Sequence, residues 1–155
     1  LTPLAGTEAA PNLIVLRSLG KFFGLPGARV GFVFAAPDIL TRMEAAMGLW
    51  TISGPAREAA RLALLDTDWQ TAARARLIAA SEHLHRLLAP LGEVKTTTLF
   101  ATLTTPQAGE LHEFLSHRAI LTRRFDQQPL LRFGLPDQEA DWQRLSDALA
   151  AWTVR

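Results

Sequence analysis

The segment RSLGKFFGLPGARVGF, which runs from Arg17 to Phe32, contains the residues best suited to carry chemistry. It contains four glycines and one lysine, Lys21. The lysine lies near Ser18 and between two arginines, Arg17 and Arg29. The apolar run Asn12–Leu16 precedes the segment, and a second apolar run, Arg29–Ala35, forms its end and continues beyond it. Short apolar runs of this kind are typical of buried strands. The sequence therefore predicts a glycine-rich loop between two strands, with one lysine and two arginines around it.

Two familiar patterns include Lys21 but fit it poorly. A nucleotide-binding phosphate loop needs a glycine five residues before its Gly-Lys pair and a Ser or Thr after it. Val15 and Phe22 occupy those positions. The Ser-x-x-Lys of penicillin-interactive serine enzymes matches Ser18 and Lys21, but those enzymes also use Ser-Asp-Asn and Lys-Thr-Gly elements. The chain has only Lys-Thr-Thr and Ser-Asp-Ala, in the wrong order, and Ser146 of the second lies in a predicted helix.

A third pattern is longer and more specific. It reads Ser-x-x-Lys-x-x-Gly-x-x-Gly-x-Arg-x-Gly and is formed by Ser18, Lys21, Gly24, Gly27, Arg29 and Gly31. This stretch resembles the cofactor-lysine segment of the pyridoxal-phosphate (PLP) enzymes of the aspartate-aminotransferase fold, fold type I. The resemblance implies PLP as cofactor, Lys21 as the catalytic lysine that forms the Schiff base, and Ser18 and Arg29 as ligands of the cofactor phosphate. The alternative for Lys21 is a solvated loop lysine.

The residue types suit these implied roles. Lysine loses its proton readily when desolvated, which makes its amine a nucleophile for an aldehyde. A guanidinium offers phosphate a bidentate fork, and glycines let the backbone turn sharply and approach the cofactor. PLP then acts as an electron sink for charge that develops at the substrate α-carbon.

Two longer stretches resemble one branch of this family. RSLGKFFGLPG carries paired phenylalanines, and GLWTISGPAREAARLALLDTDW contains a Trp-x-x-Ser-Gly-Pro-Ala segment. Both are similar to the threonine-phosphate decarboxylases of cobalamin biosynthesis. The histidinol-phosphate aminotransferases are the alternative, although they usually have an asparagine where Ser53-Gly54 stands. The resemblance implies decarboxylation of L-threonine O-3-phosphate to aminopropanol phosphate, and a small amino-acid phosphate as the substrate.

Two arginines near the end of the chain are candidate substrate ligands. Arg132, in LLRFGLP, matches the family's arginine for the substrate α-carboxylate, and Arg123, in ILTRRF, resembles a substrate-phosphate arginine, with Arg124 beside it. On a strand, Arg132 points away from the face of Leu131 and Phe133. The alternative role for Arg132 is a salt bridge to a local acid.

Composition limits the other classes of function. Of 155 residues, 48% are hydrophobic, and the net charge is +1. This charge argues against nucleic-acid and membrane-surface partners. The absence of cysteine excludes thiolate chemistry, and a cytoplasmic location is the default expectation. No metal site is predicted, and His112 and His117 are expected at the surface.

The predicted fold class is α/β: the C-terminal part of a PLP-dependent transferase large domain, followed by a small α+β domain. Residues 1–67 are the predicted remnant of the large domain, 68–90 a long connecting helix and 91–155 the small domain. Helices are predicted at residues 39–48, 55–66, 68–89 and 107–117 and from Pro136-Asp137 onward. Strands are predicted at residues 12–16, 29–35, 94–95, 100–104, 119–125 and 130–133.

We expect the chain to be a piece of a longer protein. In this family an N-terminal half supplies further groups around PLP, and none of them can be placed here. The isolated chain is then expected to bind PLP poorly and to lack turnover, whereas the longer parent is expected to be a homodimer. A non-catalytic structural or self-associating module is the alternative of a different class.

Overall fold

The computed structural model describes residues 13–153. The chain divides into two compact units, Leu1–Thr67 and Asp68–Arg155. Their assignment to the remnant of a large domain, a connecting helix and a small domain stays a prediction. Within residues 13–153, no helix combines the length and the apolar character needed to cross a membrane.

The first unit contains a two-stranded antiparallel sheet and two helices. These elements are β1 (Val15–Ser18), β2 (Gly31–Phe34), α1 (Pro37–Met47) and α2 (Gly54–Leu65). A short 3-10 turn, Pro26–Ala28, lies in the loop between the strands. Helix α2 begins one residue before its predicted start, and the Ser53 side chain caps it by accepting a hydrogen bond from the Ala56 N–H.

The first strand differs from its predicted range of residues 12–16. It runs from Val15 to Ser18, Leu13 and Ile14 are not in strand, and Asn12 lies outside the described residues. The strand extends further because Arg17 and Ser18 pair with Phe32 and Gly31 of β2. A Cβ at Gly31 would lie 3.3 Å from the carbonyl oxygen of Arg17, a tight contact that glycine avoids.

The core of the first unit is small. Leu19, Val30 and Ala60 are buried together, with a few half-buried apolar side chains around them. Leu49 and Trp50, in contrast, are 93% and 94% exposed. Large exposed apolar side chains next to each other mark surfaces that other polypeptide segments cover.

The second unit packs helices against one face of a four-stranded antiparallel sheet. It contains α3 (Thr67–Leu88), β3 (Glu93–Thr96), β4 (Phe100–Thr104), α4 (Ala108–Ser116), β5 (Arg123–Phe125), β6 (Leu130–Gly134) and α5 (Glu139–Thr153). The strand order is β3-β4-β6-β5. The core joins Leu84 of α3, Leu103 and Leu131 of the sheet, Leu111 of α4 and Leu145 of α5, all at most 3% exposed.

The prediction of a strand over residues 119–125 is wrong for its first four residues. Ala119 has a left-handed φ of 56°, and the N–H of Ile120 bonds to the carbonyl of Leu115. These residues therefore end helix α4 instead of pairing in the sheet. The last helix also begins later than expected, at Glu139 rather than at Pro136-Asp137.

Candidate functional site

The lysine loop is held by one buried side chain. Leu19 is 1% exposed; its N–H bonds to Val30, and its carbonyl accepts from Leu25. The loop then turns at Lys21, where the carbonyl of Lys21 accepts from the N–H of Gly24 at 3.1 Å. Gly24 has a φ of 65°, which glycine adopts without strain. Leu19 thus points inward as an anchor, while Ser18 and Lys21 on either side are exposed.

The structure brings Ser18, Lys21 and Arg29 together around one pocket of about 380 Å³. The remaining lining residues are Gly20, Leu25, Pro26, Val30 and Gly31. Two cations and a hydroxyl therefore border a space without a carboxylate among its lining residues. A pocket with this donor set suits an anion such as phosphate, because guanidinium and hydroxyl groups bind phosphate oxygens directly.

Arg29 is held in an uncommon backbone conformation. Its φ of 53° and ψ of 40° are left-handed, a region that costs a residue with a Cβ about 1–2 kcal/mol. The guanidinium donates to the carbonyl of Pro26 at 3.0 Å, which turns the side chain back over the loop. Residues other than glycine that have a strained backbone conformation are concentrated at functional sites. The sequence motif includes Arg29 but does not reveal this conformation.

A second group of candidate residues lies in the second unit, on the face of the sheet away from the helices. Leu131 and Phe133 are 0% and 3% exposed on the core face, whereas Arg132 between them is half-buried on the other face. Arg123 of β5 is the direct partner of Arg132 across the strand pair. Within residues 13–153, neither guanidinium forms an ion pair with an acidic side chain.

The structure separates Arg123 from its neighbour Arg124. Arg124 is paired with the buried Leu131 and therefore lies on the core face of the sheet. The guanidinium of Arg124 would be 3.8 Å from a Cβ added at Gly109 of helix α4. Its Nε lies 3.7 Å from Oδ1 of Asp126. Of the two adjacent arginines, Arg123 is thus the one that shares a face with Arg132.

Sequence reasoning missed the aromatic partners of these arginines. The guanidinium carbon of Arg132 is 4.6 Å from the centre of the Phe100 ring, and that of Arg123 is 5.3 Å from the Phe125 ring. The Arg123-x-Phe125 spacing puts both residues on one face of a strand, and is a signal that sequence analysis can use. Nothing comparable links Phe100 to Arg132, which are far apart in the chain.

The expected surface position of His112 is also wrong. Its ring nitrogen Nδ1 lies 2.7 Å from the hydroxyl of Thr122, and that threonine is 5% exposed. His112 is half-buried. This contact joins Thr122, the residue before Arg123, to His112 of helix α4, and it accounts for the inward direction of the imidazole.

Comparisons with known proteins agree with the resemblance. The aminotransferase class I and II family model matches residues 2–122. A threonine-phosphate decarboxylase from Pseudomonas aeruginosa is 46% identical over 94% of this chain and 45% of its own length. Histidinol-phosphate aminotransferase 2 from Gluconobacter oxydans is 34% identical over 92% of this chain and 43% of its own length. The chain therefore spans slightly less than half the length of these relatives.

A solved structure shows the same fold. The histidinol-phosphate aminotransferase from Sinorhizobium meliloti, in complex with pyridoxal-5'-phosphate, superposes with a TM-score of 0.66 at 22% identity, over 91% of this chain and 40% of that one. The predicted fold class, a part of the PLP-dependent transferase fold, is thereby confirmed. With most of its length matched by the family model, the chain belongs to the aminotransferase class I and II family.

Proposed function

We propose that this chain is part of a PLP-dependent enzyme that decarboxylates L-threonine O-3-phosphate to aminopropanol phosphate. The observation that carries the proposal is the pocket where Ser18, Lys21 and Arg29 meet without a carboxylate among its lining residues. The identity of 46% to a threonine-phosphate decarboxylase supports this branch of the family.

The three pocket residues have separate roles in this proposal. The Ser18 hydroxyl and the Arg29 guanidinium bind the cofactor phosphate through charge-assisted hydrogen bonds. The Lys21 amine lies in the same pocket and would hold the cofactor through its aldehyde, with loss of one water. When bound, PLP supplies an electron sink for charge at the substrate α-carbon.

The opposed arginines of the second unit bind the anionic groups of the substrate. Like charges directly opposite each other in a sheet are destabilising, so Arg123 and Arg132 are a costly pair without an anion nearby. Cross-strand partners have Cα atoms only about 4.5–5.5 Å apart. L-threonine O-3-phosphate carries its carboxylate and its phosphate on adjacent carbons, which suits two guanidiniums this close together. We assign the carboxylate to Arg132 and the phosphate to Arg123.

Two alternatives remain part of the test. Transamination of histidinol phosphate is favoured by the 34% identity to a histidinol-phosphate aminotransferase. A non-catalytic, self-associating module is favoured by the exposed Leu49 and Trp50.

A homodimeric parent in the cytoplasm completes our proposal, and size-exclusion chromatography with light scattering tests its oligomeric state.

The lysine assignment can be tested on the chain itself, because the sequence has only two lysines, Lys21 and Lys95. Lys95 is a matched control: its side chain is 77% exposed and pairs with Glu93. The chain is incubated with PLP and reduced with borohydride, and the labelled peptide is identified by mass spectrometry. We expect the label on Lys21, retained in Lys95→Ala and lost in Lys21→Ala. Equal labelling of both lysines would mean that the pocket does not select the cofactor.

The reaction can be tested in a hybrid enzyme. The matching part of the Pseudomonas aeruginosa relative is replaced by this chain, and labelled carbon dioxide release from L-threonine O-3-phosphate is measured beside transamination of histidinol phosphate. We expect carbon dioxide release, strongly reduced in Arg132→Lys with little change in PLP binding, since lysine cannot reproduce the bidentate fork. Transamination without carbon dioxide would instead establish the aminotransferase alternative.

A further inference from the structure

We infer that Phe100 is a positioning residue for Arg132, and that it keeps the guanidiniums of Arg132 and Arg123 apart so that an anion fits between them. The inference rests on the proposed function, because it takes these two arginines as the substrate's anion-binding pair. Nothing in the family motif or in the sequence pattern of the strands points to Phe100.

The strand order determines the direction in which Arg132 leans. Strand β6, which carries Arg132, lies between β4 and β5. Phe100 is on β4, and its ring centre is 4.6 Å from the guanidinium carbon of Arg132. Arg123 is on β5, on the opposite side of β6. The ring therefore draws the guanidinium of Arg132 towards β4 and away from Arg123.

Arg123 has its own aromatic partner. Phe125 lies two residues further along β5 and hence on the same face of the sheet. Its ring centre is 5.3 Å from the guanidinium carbon of Arg123. One guanidinium thus leans across to β4, while the other leans along its own strand. Two like charges on neighbouring strands are held apart, each against the electron-rich face of a ring.

This arrangement prepares the site before the ligand arrives. A guanidinium on a flexible side chain loses conformational freedom when an anion fixes it, and a group that is already oriented loses less. Since the described part of the chain offers no acidic partner to Arg132, the ring of Phe100 is the contact that orients its charge. Removal of the ring should leave the charge in place but weaken anion binding about threefold to tenfold.

The experiment compares three forms of the full chain: wild type, Phe100→Leu, which removes the ring, and Phe100→Trp, which keeps an aromatic face. Side-chain NMR signals of Arg132 report the ring through its ring-current shift. Titration with O-phospho-L-threonine, and separately with inorganic phosphate, gives the affinities. We expect Phe100→Leu to lose the Arg132 ring-current shift and to bind O-phospho-L-threonine about threefold to tenfold more weakly, and Phe100→Trp to restore both.

Phe125→Leu is the matched control, and it should move the Arg123 signals while those of Arg132 stay in place. Unchanged Arg132 signals in Phe100→Leu would overturn the inference. So would equal affinity of Phe100→Leu and wild type, if Arg132→Gln weakens binding in the same assay. Those two results leave the proposed function intact. If O-phospho-L-threonine shifts neither arginine in the wild-type chain, the proposed anion site fails, and with it the role of Phe100 in binding.

Discussion

Replacement of Arg29 separates the binding of the cofactor phosphate from the folding of the loop. Arg29→Ala removes the guanidinium but keeps a Cβ at a residue whose φ is 53°. Arg29→Gly removes the same group and also relieves the strain, because glycine adopts this conformation freely. The two variants therefore differ in backbone strain, while both lack the charge.

The structure sets the size of both effects. A charge-assisted hydrogen bond is worth about 1.5–3 kcal/mol, and the Ser18–Arg29 pocket is open to solvent, so we expect the lower part of that range. PLP affinity should therefore fall about tenfold to thirtyfold in both variants. Glycine should make the loop more stable than alanine does by about 1–2 kcal/mol, because only alanine keeps the left-handed strain.

The assay uses two ligands that differ by one group. Absorbance titration measures the affinity for PLP and for pyridoxal, which has the aldehyde but no phosphate. Urea unfolding followed by circular dichroism measures stability. We expect both Arg29 variants to lose PLP affinity and to keep pyridoxal affinity, with the glycine variant unfolding at a higher urea concentration than the alanine variant.

Three results would each refute a part of this reasoning. Wild-type PLP affinity in both variants would show that Arg29 does not bind the phosphate. An equal loss of PLP and pyridoxal affinity would show that Arg29 acts on the loop as a whole. If glycine and alanine gave the same stability, the left-handed conformation of Arg29 would carry no strain.

Two further predictions concern the second unit, and urea unfolding measures both. Thr122→Val should lower the free energy of unfolding by about 1 kcal/mol, because it leaves the imidazole of His112 without its hydroxyl partner at 2.7 Å. Thr122→Ser keeps the hydroxyl and should recover most of this stability. An equal loss in both variants would contradict the prediction. Gly92→Ala should destabilise by about 1–3 kcal/mol, since its Cβ would overlap the carbonyl oxygen of Thr104, whereas Gly134→Ala, with open space around it, should change stability by less than about 1 kcal/mol.

Sequence reasoning succeeded where the evidence is local. The strand Phe100–Thr104 has its predicted bounds, and the last predicted helix is present as Glu139–Thr153, with Leu145 and Leu149 in the core. Alternation along β6 correctly put Arg132 on the face opposite Leu131. It failed at residues 119–122, a largely apolar stretch predicted as strand, because Ala119 and Ile120 instead bond back to the end of a helix. Periodicity cannot distinguish these outcomes, because hydrogen bonds to the preceding helix decide them.

The sequence by itself determined the lysine loop. Ser18, Lys21 and Arg29 lie within one short segment between two paired strands, so the residue types and their spacing nearly define the pocket. Only the tertiary structure decided the second group. Whether Arg123 or Arg124 joins Arg132 depends on strand register, because a shift by one residue moves every side chain to the other face. The ring beside Arg132 likewise comes from a strand that is distant in sequence and adjacent only through the sheet order.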